Sequence, residues 1–338
     1  MENKKTPIRF IIVGCGRIAE RHAEHIAKLG RLVAVCDIKP KRVALFTEKY
    51  NVLGFSDIDS LLAANPAADV VAICTPNGLH TEHSIKALRA RYHVLCEKPM
   101  ALTVADCEHM IMEAEKSGKK LFIIKQNRFN PPIVEVKRLI DEGRLGKILS
   151  VQLNCFWNRD EQYYKNSEWK GTRALDGGAL FTQFSHFVDL LVWMFGDALE
   201  VKAYIGNSNH PYIEIDDHGV VALKFEGGTL GTIHFSTNAY KKNLEGSITI
   251  FGEKGTVKVG GEYLNVLEHA SVENYTPPNL PMGIANDYGS YKGSMSNHDK
   301  VYQNVIDVLG NNGVISTSGM EGLKTVEMIR KIYDAAGF

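Results

Sequence analysis

The residues best suited to chemistry begin with a glycine-rich turn near the N-terminus. The turn G-C-G-R-I-A, at 14–19, directly follows the apolar run Ile8 to Val13. Two glycines and a small third residue let a strand turn sharply into a helix whose first N–H groups face a phosphate. Asp37 ends the next apolar run, Leu32 to Cys36, where an acid holds the adenosine ribose hydroxyls. This order predicts a site for NAD rather than NADP, because Asp37 repels a 2′-phosphate.

Two later loops fall where a doubly wound parallel sheet places its ligand, outside the carboxyl ends of the strands. T-P-N-G-L-H at 75–80 follows one apolar run, and E-K-P at 97–99 follows another. Taken alone, the glycine turn is also typical of other α/β proteins. The proline and glycine of the first loop are also typical of a loop that binds no ligand. The residues expected to contact the cofactor are Gly14, Gly16, Arg17, Ile18, Asp37, Thr75, Pro76, Asn77, His80, Glu97, Lys98, Gln126 and Asn127.

Lys98 is the candidate proton-transfer group. A lysine is usually a solvated surface charge, but this one follows a predicted strand, between Glu97 and Pro99, on the edge that faces the ligand. Partial burial beside the positive nicotinamide ring would lower its pKa and make it a usable base. We therefore expect a catalytic role for Lys98.

The bulk composition restricts the classes of function. A chain of 338 residues exceeds one ordinary core, and we expect two domains, 1–124 and 125–338. Lys plus Arg and Asp plus Glu both number 39, which excludes nucleic acid and membrane surfaces as expected partners. The polar stretch Met1 to Thr6 leaves no room for a signal peptide, so we expect a cytoplasmic protein. The six cysteines form no C-x-x-C pair and the histidines show no ligand spacing, so no metal site is expected.

The elements that must position these groups change character near residue 124. Up to that point strands alternate with helices, which predicts an α/β Rossmann domain with a doubly wound parallel sheet. Beyond it, 147–157 alternates polar and apolar residues, which predicts an α+β domain. We expect an open, largely antiparallel sheet with helices on one face, and a homo-oligomer, dimer or tetramer, that covers the other face. The further strands are expected at 199–205, 218–226, 229–236, 246–251, 255–259 and 262–267, and helices at 179–195, 298–310 and 319–336.

The second half carries the candidate substrate residues. Behind Gly177-Gly178, helical spacing puts Thr182, His186 and Asp189 on one face, although a lone helical histidine is more often structural. Guanidinium groups suit carboxylates and phosphates, so the 159–164 loop is a candidate for an acidic or nucleotide-linked substrate, with a plain polar loop as the alternative. The residues expected to bind substrate are Lys98, Arg159, Tyr163, Tyr164, Thr182, Gln183 and His186.

Together these motifs resemble the glucose–fructose oxidoreductase/inositol dehydrogenase family. The resemblance is carried by the glycine turn, T-P-N-G-L-H, E-K-P, N-R-F at 127–129 and D-G-G-A…H-F-V-D at 176–189. It implies that Lys98 is the acid/base group, that His186 is catalytic, and that the peptide before Pro99 is cis. Many sugar-oxidising members carry an aspartate at the position of Thr182, which makes the identity of the substrate the open question.

A narrower resemblance points to one subgroup, the NAD-dependent 3-dehydrogenases of UDP-N-acetylglucosaminuronate, which serve surface-polysaccharide synthesis. It is carried by N-R-F-N-P-P at 127–132, F-W-N-R at 156–159, W-K-G-T at 169–172 and Q-F-S-H-F-V-D-L-L at 183–191. This likeness implies that Lys98, relayed with His186, takes a hydroxyl proton as NAD accepts the hydride. It also implies that bound NADH is reoxidised by a 2-oxo acid such as 2-oxoglutarate.

Two rival functions remain open from the sequence. One is another dehydrogenase of the same family, acting on inositol or a free aldose. The other is a non-catalytic regulator that senses the cofactor. A sensor needs neither Lys98 nor His186, so the presence of both favours an enzyme.

Overall fold

The computed structural model describes residues 6–281, 283, 285–287 and 292–338. The strands are β1 (Arg9–Val13), β2 (Arg31–Cys36), β3 (Leu53–Phe55), β4 (Val70–Ile73), β5 (His93–Cys96), β6 (Leu121–Ile123), β7 (Ile148–Phe156), β8 (Ala198–Gly206), β9 (His218–Phe225), β10 (Leu230–Ser236), β11 (Glu245–Gly252), β12 (Gly255–Gly260), β13 (Val266–Val272), β14 (Ala285–Asp287) and β15 (Lys292–Met295). The helices are α1 (Arg17–Leu29), α2 (Pro40–Tyr50), α3 (Ile58–Ala64), α4 (His80–Arg89), α5 (Val104–Ser117), α6 (Pro131–Asp141), α7 (Glu161–Lys165), α8 (Ala179–Thr182), α9 (Ser185–Phe195), α10 (His298–Asn311) and α11 (Gly319–Ala335).

The chain divides into two compact units. Unit 1 comprises residues 1–124 and 298–323, and unit 2 comprises residues 125–297 and 324–338. The segment 298–323 thus belongs to unit 1, although the sequence placed it in the second domain. The cause is a tertiary contact, because Tyr302 of α10 packs edge-on against Phe10 of β1 with ring centroids 5.4 Å apart. The spacing of apolar residues in the sequence does not indicate contacts between segments that lie so far apart.

Unit 1 contains a six-stranded parallel sheet in the order β3-β2-β1-β4-β5-β6. The strand order reverses between β1 and β4, which makes this the doubly wound fold that the sequence predicted. The central strands β1 and β4 are buried along nearly their whole length, as expected for a parallel sheet covered on both faces. Helix α5 shows how local sequence sets the ends, since Thr103 caps its first turn and Gly118 closes it with φ 65°.

Unit 2 contains a seven-stranded sheet in the order β13-β12-β11-β7-β10-β9-β8. Of its pairings only β7 with β10 is parallel, so the predicted largely antiparallel sheet is confirmed. One strand was misplaced: the run 262–267 is largely a turn, and β13 begins at Val266. Gly261 and Leu264 have φ of 78° and 58°, and this left-handed backbone interrupts the apolar pattern that suggested an earlier strand.

The helix predicted over 179–195 is broken into α8 and α9. Phe184 has φ −115° and ψ 7°, outside the regular helix. Its N–H donates to the carbonyl of Ala179, five residues back, in place of the usual four. Such interruptions occur frequently at functional sites, and this one separates Thr182 from His186.

Asp189 belongs to a buried ion cluster rather than to a substrate-facing row. Arg128 donates to both of its carboxylate oxygens at 2.8 Å, Lys125 lies 3.3 Å away, and Thr325 donates at 3.0 Å. Burial acts to raise the pKa of the Asp189 carboxyl, but the two cations hold it well below its ordinary range. The cluster ties α9 to the start of unit 2 and to α11.

We predict that Asp189→Asn destabilises the protein by about 3–5 kcal/mol at pH 7, because it leaves two buried cations without their carboxylate. The pKa of Asp189 is lower in the folded than in the unfolded chain, so its stabilising effect is present above about pH 4 and is lost as the pH falls further. Chemical unfolding at several pH values should therefore show the gap between variant and parent narrowing in acid. Asp141→Asn removes an exposed carboxylate that pairs with Lys137 and is the matched control, with little expected change.

In the part of the chain that the structure describes, no helix is long and apolar enough to cross a membrane. The six cysteines are all buried and unpaired with one another, and they pack as small apolar side chains.

Candidate active site

The glycine turn of unit 1 has the shape that a dinucleotide needs. Gly14 has φ 94°, and a Cβ there would lie 2.7 Å from the backbone of Cys74. At Gly16 a Cβ would meet nothing within 4 Å, so the space in front of the turn is open. Gly16 begins α1 without any side-chain cap, which leaves the helix N-terminus available to an anion. Arg17 is exposed and Ile18 half-buried on the first turn. These residues fit a pyrophosphate.

Asp37 lies at the carboxyl end of β2, as predicted. Its Oδ2 accepts from the Cys15 N–H and its Oδ1 from the Lys39 N–H, both at 2.8 Å. The carboxylate is thereby held beside the glycine turn, and its remaining lone pairs suit ribose hydroxyls. Arg42 approaches Oδ2 at 3.7 Å and is the cation that would moderate a preference for NAD.

We predict that Asp37→Asn lowers the ratio of kcat/KM for NAD to that for NADP by at least about tenfold, because it removes the charge that repels a 2′-phosphate while keeping an acceptor for the Cys15 N–H. Steady-state rates with each cofactor measure this ratio. Asp57→Asn is the matched control: Asp57 caps α3 through the Ser60 N–H and should alter stability without altering the ratio. An unchanged ratio in Asp37→Asn would exclude Asp37 from cofactor selection.

The loops after β4 and β5 are joined by His80. One of its ring nitrogens lies 2.7 Å from the Pro99 carbonyl and the other 2.9 Å from the Thr75 carbonyl. The Lys98–Pro99 peptide is cis, which confirms that expectation. Asn77 is buried in a single turn of 3-10 helix after Pro76. The structure thus brings Thr75, His80 and Lys98 to one edge of the sheet, as predicted.

The start of unit 2 contains two buried amides. Gln126 donates to the Ser294 hydroxyl at 3.0 Å, while its Oε1 has no hydrogen-bond partner among the described residues. The side chain of Asn127 is 1% exposed, and neither its nitrogen nor its oxygen has such a partner within the described ranges. Buried polar atoms nearly always find one. These amides therefore favour a ligand contact, and the predicted cofactor contact of both residues stays a prediction.

Arg159, Gln183 and Tyr163 form one hydrogen-bonded row in unit 2. The Arg159 Nε donates to Gln183 Oε1, and Gln183 Nε2 donates to the Tyr163 hydroxyl, both at 2.7 Å. Arg159 is 2% exposed and lies over the rings of Trp157 and Tyr163. The guanidinium is thus fixed in place, rather than extended from a loose loop.

Tyr164 is not part of that row. It is buried against His210 and Tyr212, in an aromatic cluster with ring centroids 5.4 and 6.2 Å away. Burial raises the pKa of its hydroxyl above the ordinary range. Tyr163 and Tyr164 therefore have different surroundings, although both were predicted to bind substrate.

Asp176 is a residue that the sequence reasoning passed over. The Thr182 hydroxyl donates to its carboxylate, and the Gly171 N–H donates to its other oxygen at 2.8 Å. Burial raises the pKa of the Asp176 carboxyl to about 6, against these hydrogen bonds. His186, 1% exposed on α9, follows Thr182 by one turn of the interrupted helix. The D-G-G motif was the signal for Asp176, but it was used only as part of the family resemblance, with no role assigned to Asp176 itself.

Comparison with known proteins covers both units. A model of the "Oxidoreductase family, NAD-binding Rossmann fold" matches residues 8–125, and one of the "GFO/IDH/MocA C-terminal domain" matches residues 133–258. The chain belongs to the GFO/IDH/MocA oxidoreductase family. It is accordingly an NAD-dependent oxidoreductase, and the open cradle at Gly16 is where its own residues would hold the pyrophosphate.

Solved structures of similar proteins narrow the comparison for this family member. The WlbA dehydrogenase from Bordetella pertussis, in complex with NADH and UDP-GlcNAcA, is 37% identical with a TM-score of 0.90, over 98% of this chain and 97% of that one. The WlbA enzyme from Chromobacterium violaceum, also in complex with NADH and UDP-GlcNAcA, is 37% identical with a TM-score of 0.89, over 99% of this chain and 95% of that one.

Other relatives of this oxidoreductase act on different molecules. Myo-inositol 2-dehydrogenase of Thermotoga maritima is 28% identical over 74% of each protein. A 1-carboxy-3-chloro-3,4-dihydroxycyclohexa-1,5-diene dehydrogenase of Comamonas testosteroni is 32% identical over 66% of this chain, which spans 56% of that enzyme's length. Membership of the family therefore does not determine the substrate.

Proposed function

We propose that the protein is a sugar dehydrogenase that oxidises carbon 3 of UDP-N-acetylglucosaminuronate for surface-polysaccharide synthesis. The observation that carries this proposal is the likeness, over nearly the whole chain, to two WlbA dehydrogenases that bind NADH and UDP-GlcNAcA. The fixed Arg159 guanidinium supports it, because a planar cation suits carboxylate and phosphate groups. A free polyol offers neither group.

The proposed chemistry needs a base and a hydride acceptor. The secondary alcohol loses its hydroxyl proton to Lys98 and its C–H hydrogen as a hydride, giving a ketone. When bound, NAD supplies the hydride-accepting ring. The buried Glu97 and His80 contacts hold the Lys98 segment at the sheet edge, so the backbone that carries its amine has a fixed position. His186 is the proposed second proton-handling group, since an imidazole can donate a proton from one ring nitrogen and accept one at the other.

Substrate recognition is assigned to unit 2. Hydrogen bonds to Gln183 hold Arg159 and Tyr163 in place, and a hydrogen bond to Asp176 holds Thr182. Unit 2 thus holds a cation (Arg159), a phenol (Tyr163), an amide (Gln183) and a hydroxyl (Thr182) in fixed positions before any ligand arrives. Such preorganisation reduces the entropy lost on binding a polar sugar.

A substrate panel tests the proposed function. NADH formation is measured with UDP-N-acetylglucosaminuronate, with and without 2-oxoglutarate, and with myo-inositol and several free aldoses. We expect turnover with the nucleotide sugar acid, and stimulation by 2-oxoglutarate if NADH is reoxidised in place. Turnover confined to myo-inositol or free aldoses would contradict the substrate assignment and favour the inositol-dehydrogenase type of relative.

The proposal includes a homo-oligomer formed through the sheet of unit 2. Tyr204 pairs with Val220 across β8 and β9, and both project from the face opposite to the buried Val221 and Leu223. Tyr204 is 86% exposed and Val220 50% exposed, an apolar surface that a second copy of the chain would cover. Light scattering should give a dimer or tetramer, and a monomer at micromolar concentration would contradict this part of the proposal.

A further inference from the structure

A buried cluster in unit 1 combines three side chains from distant parts of the chain. His22 lies on α1, Glu97 follows β5, and His298 is the first residue of α10. Nε2 of His22 lies 2.9 Å from Glu97 Oε1, and Nε2 of His298 lies 3.5 Å from the same oxygen. Both histidines are 0% exposed and Glu97 is 6% exposed. The cluster includes no residue of the glycine turn and none of the candidate substrate-binding residues.

The cluster ends at Lys98. Glu97 uses its second carboxylate oxygen, Oε2, to accept the backbone N–H of Lys98 at 3.0 Å. On the other side, Nδ1 of His22 lies 2.7 Å from the Tyr302 hydroxyl. A continuous row of hydrogen-bonding groups therefore runs from α10 through α1 to the backbone of the candidate base.

Glu97 is ionised in this setting. Burial acts to raise the pKa of its carboxyl, but the contacts with His22 and His298 hold it well below its usual range. A buried carboxylate in contact with two imidazoles is fixed in direction, because rotating it away would leave its oxygens without hydrogen-bond partners. Its second oxygen is fixed with it.

We infer that Glu97 is a positioning residue for Lys98, locked by His22 and His298 so that the Lys98 backbone is held in one orientation. This inference rests on the proposed function in taking Lys98 as the base. The Glu97 side chain is directed to His22 and to its own chain, so its effect reaches the reaction through Lys98.

The same three side chains include metal-ligating types, and their donor atoms lie within 4.8 Å of one another. The hydrogen bonds decide between the two interpretations. Oε1 already has its imidazole partner at 2.9 Å, and Oε2 already has a peptide N–H. The carboxylate is satisfied without a cation, although both ring nitrogens of His298 have no hydrogen-bond partner among the described residues.

Glu97→Gln tests the inference, with Glu113→Gln as a matched control. Glu113 is also 6% exposed and accepts from Arg89 at 3.0 Å, so both changes remove a buried, paired carboxylate from unit 1. The amide introduced by Glu97→Gln keeps one acceptor and replaces the other with a donor, which faces either the imidazole or the Lys98 N–H. The measurements are kcat, the Kd for NADH, the melting temperature and the metal content of the purified protein.

We expect kcat of Glu97→Gln to fall at least about tenfold, because small misplacements of a reacting group cost up to ~10²-fold. The Kd for NADH should change less than about threefold, which separates lost chemistry from lost binding. Tyr302→Phe, which removes only the outer hydroxyl, should give a smaller fall in kcat. Glu113→Gln should lower the melting temperature comparably and leave kcat unchanged.

Three results would overturn the inference. An unchanged kcat in Glu97→Gln would show that Lys98 needs no such support. An equal loss of kcat in Glu113→Gln would show that the effect is general destabilisation. One equivalent of a metal in the parent protein, lost in Glu97→Gln, would assign the cluster to a metal site. Failure of the proposed function gives a different pattern, in which Lys98→Ala itself retains turnover.

Discussion

Lys98→Ala is expected to lower kcat by about 10²–10⁴-fold, the range that a positioned general base contributes. The variant keeps the backbone N–H that Glu97 accepts, so the loop after β5 retains its hydrogen bond. The Kd for NADH should change little, because the glycine turn and Asp37 are untouched. Stopped-flow measurement of NADH formation and fluorescence titration with NADH give the two quantities separately.

Lys120→Ala is the matched control for that experiment. Lys120 is exposed and directly precedes β6, at the amino end of the strand and so at the opposite edge of the sheet from Lys98. Its removal should leave both kcat and Kd unchanged. If Lys98→Ala kept normal turnover, Lys98 would not be the base, and if it lost only NADH affinity, its role would be cofactor binding.

His186→Asn is expected to lower kcat by about 10²-fold, the lower end for a group that handles a proton. Asparagine is close in size to imidazole and retains polar atoms, which limits the cavity left at this buried site. Asparagine can neither take up nor release a proton, so the loss of kcat should persist at every pH measured. Steady-state rates between about pH 5 and 9 with the best substrate of the panel supply the measurement.

The control for the histidine substitution is His109→Asn. His109 is exposed on α5, in unit 1 and away from the sheet of unit 2. The same chemical change there should leave both kcat and its pH profile intact. A His186→Asn variant that melts normally and turns over normally would remove His186 from the proposed mechanism.

Unit 1 was largely predictable because its signals are local. The buried run of β1, the glycines at 14 and 16 and the acid at the end of β2 lie within one short stretch, and each has a single physical reason. The parallel sheet follows from the alternation of strands and helices. Its loops then necessarily meet at the carboxyl edge, where Thr75 and Lys98 were expected.

The contacts that hold the candidate base were not predictable, because they join residues far apart in the sequence. His298 contacts Glu97 only in the folded unit 1, where α10 joins the N-terminal segment. The spacing of apolar residues in either segment does not indicate that contact. The sequence offered Glu97 as a cofactor residue. Its side chain instead faces two histidines.

The second half shows where helical spacing misleads. Thr182, His186 and Asp189 share a face only on a continuous helix, and the interruption at Phe184 ends that continuity. Asp189 then pairs with Arg128, and Thr182 pairs with Asp176. Neither partner is at a helical spacing, so the pattern could identify the candidate residues but not their neighbours.

The most direct test of the central claim uses UDP-N-acetylglucosaminuronate deuterated at carbon 3. Oxidation at that carbon breaks the C3–deuterium bond and transfers deuteride to the cofactor, leaving a 3-keto sugar. We expect mass spectrometry to find the deuterium in NADH, and a control substrate deuterated at carbon 4 to retain its label. Unlabelled NADH from the carbon 3 substrate would show that another position is oxidised, and absence of NADH with this sugar would contradict the substrate itself.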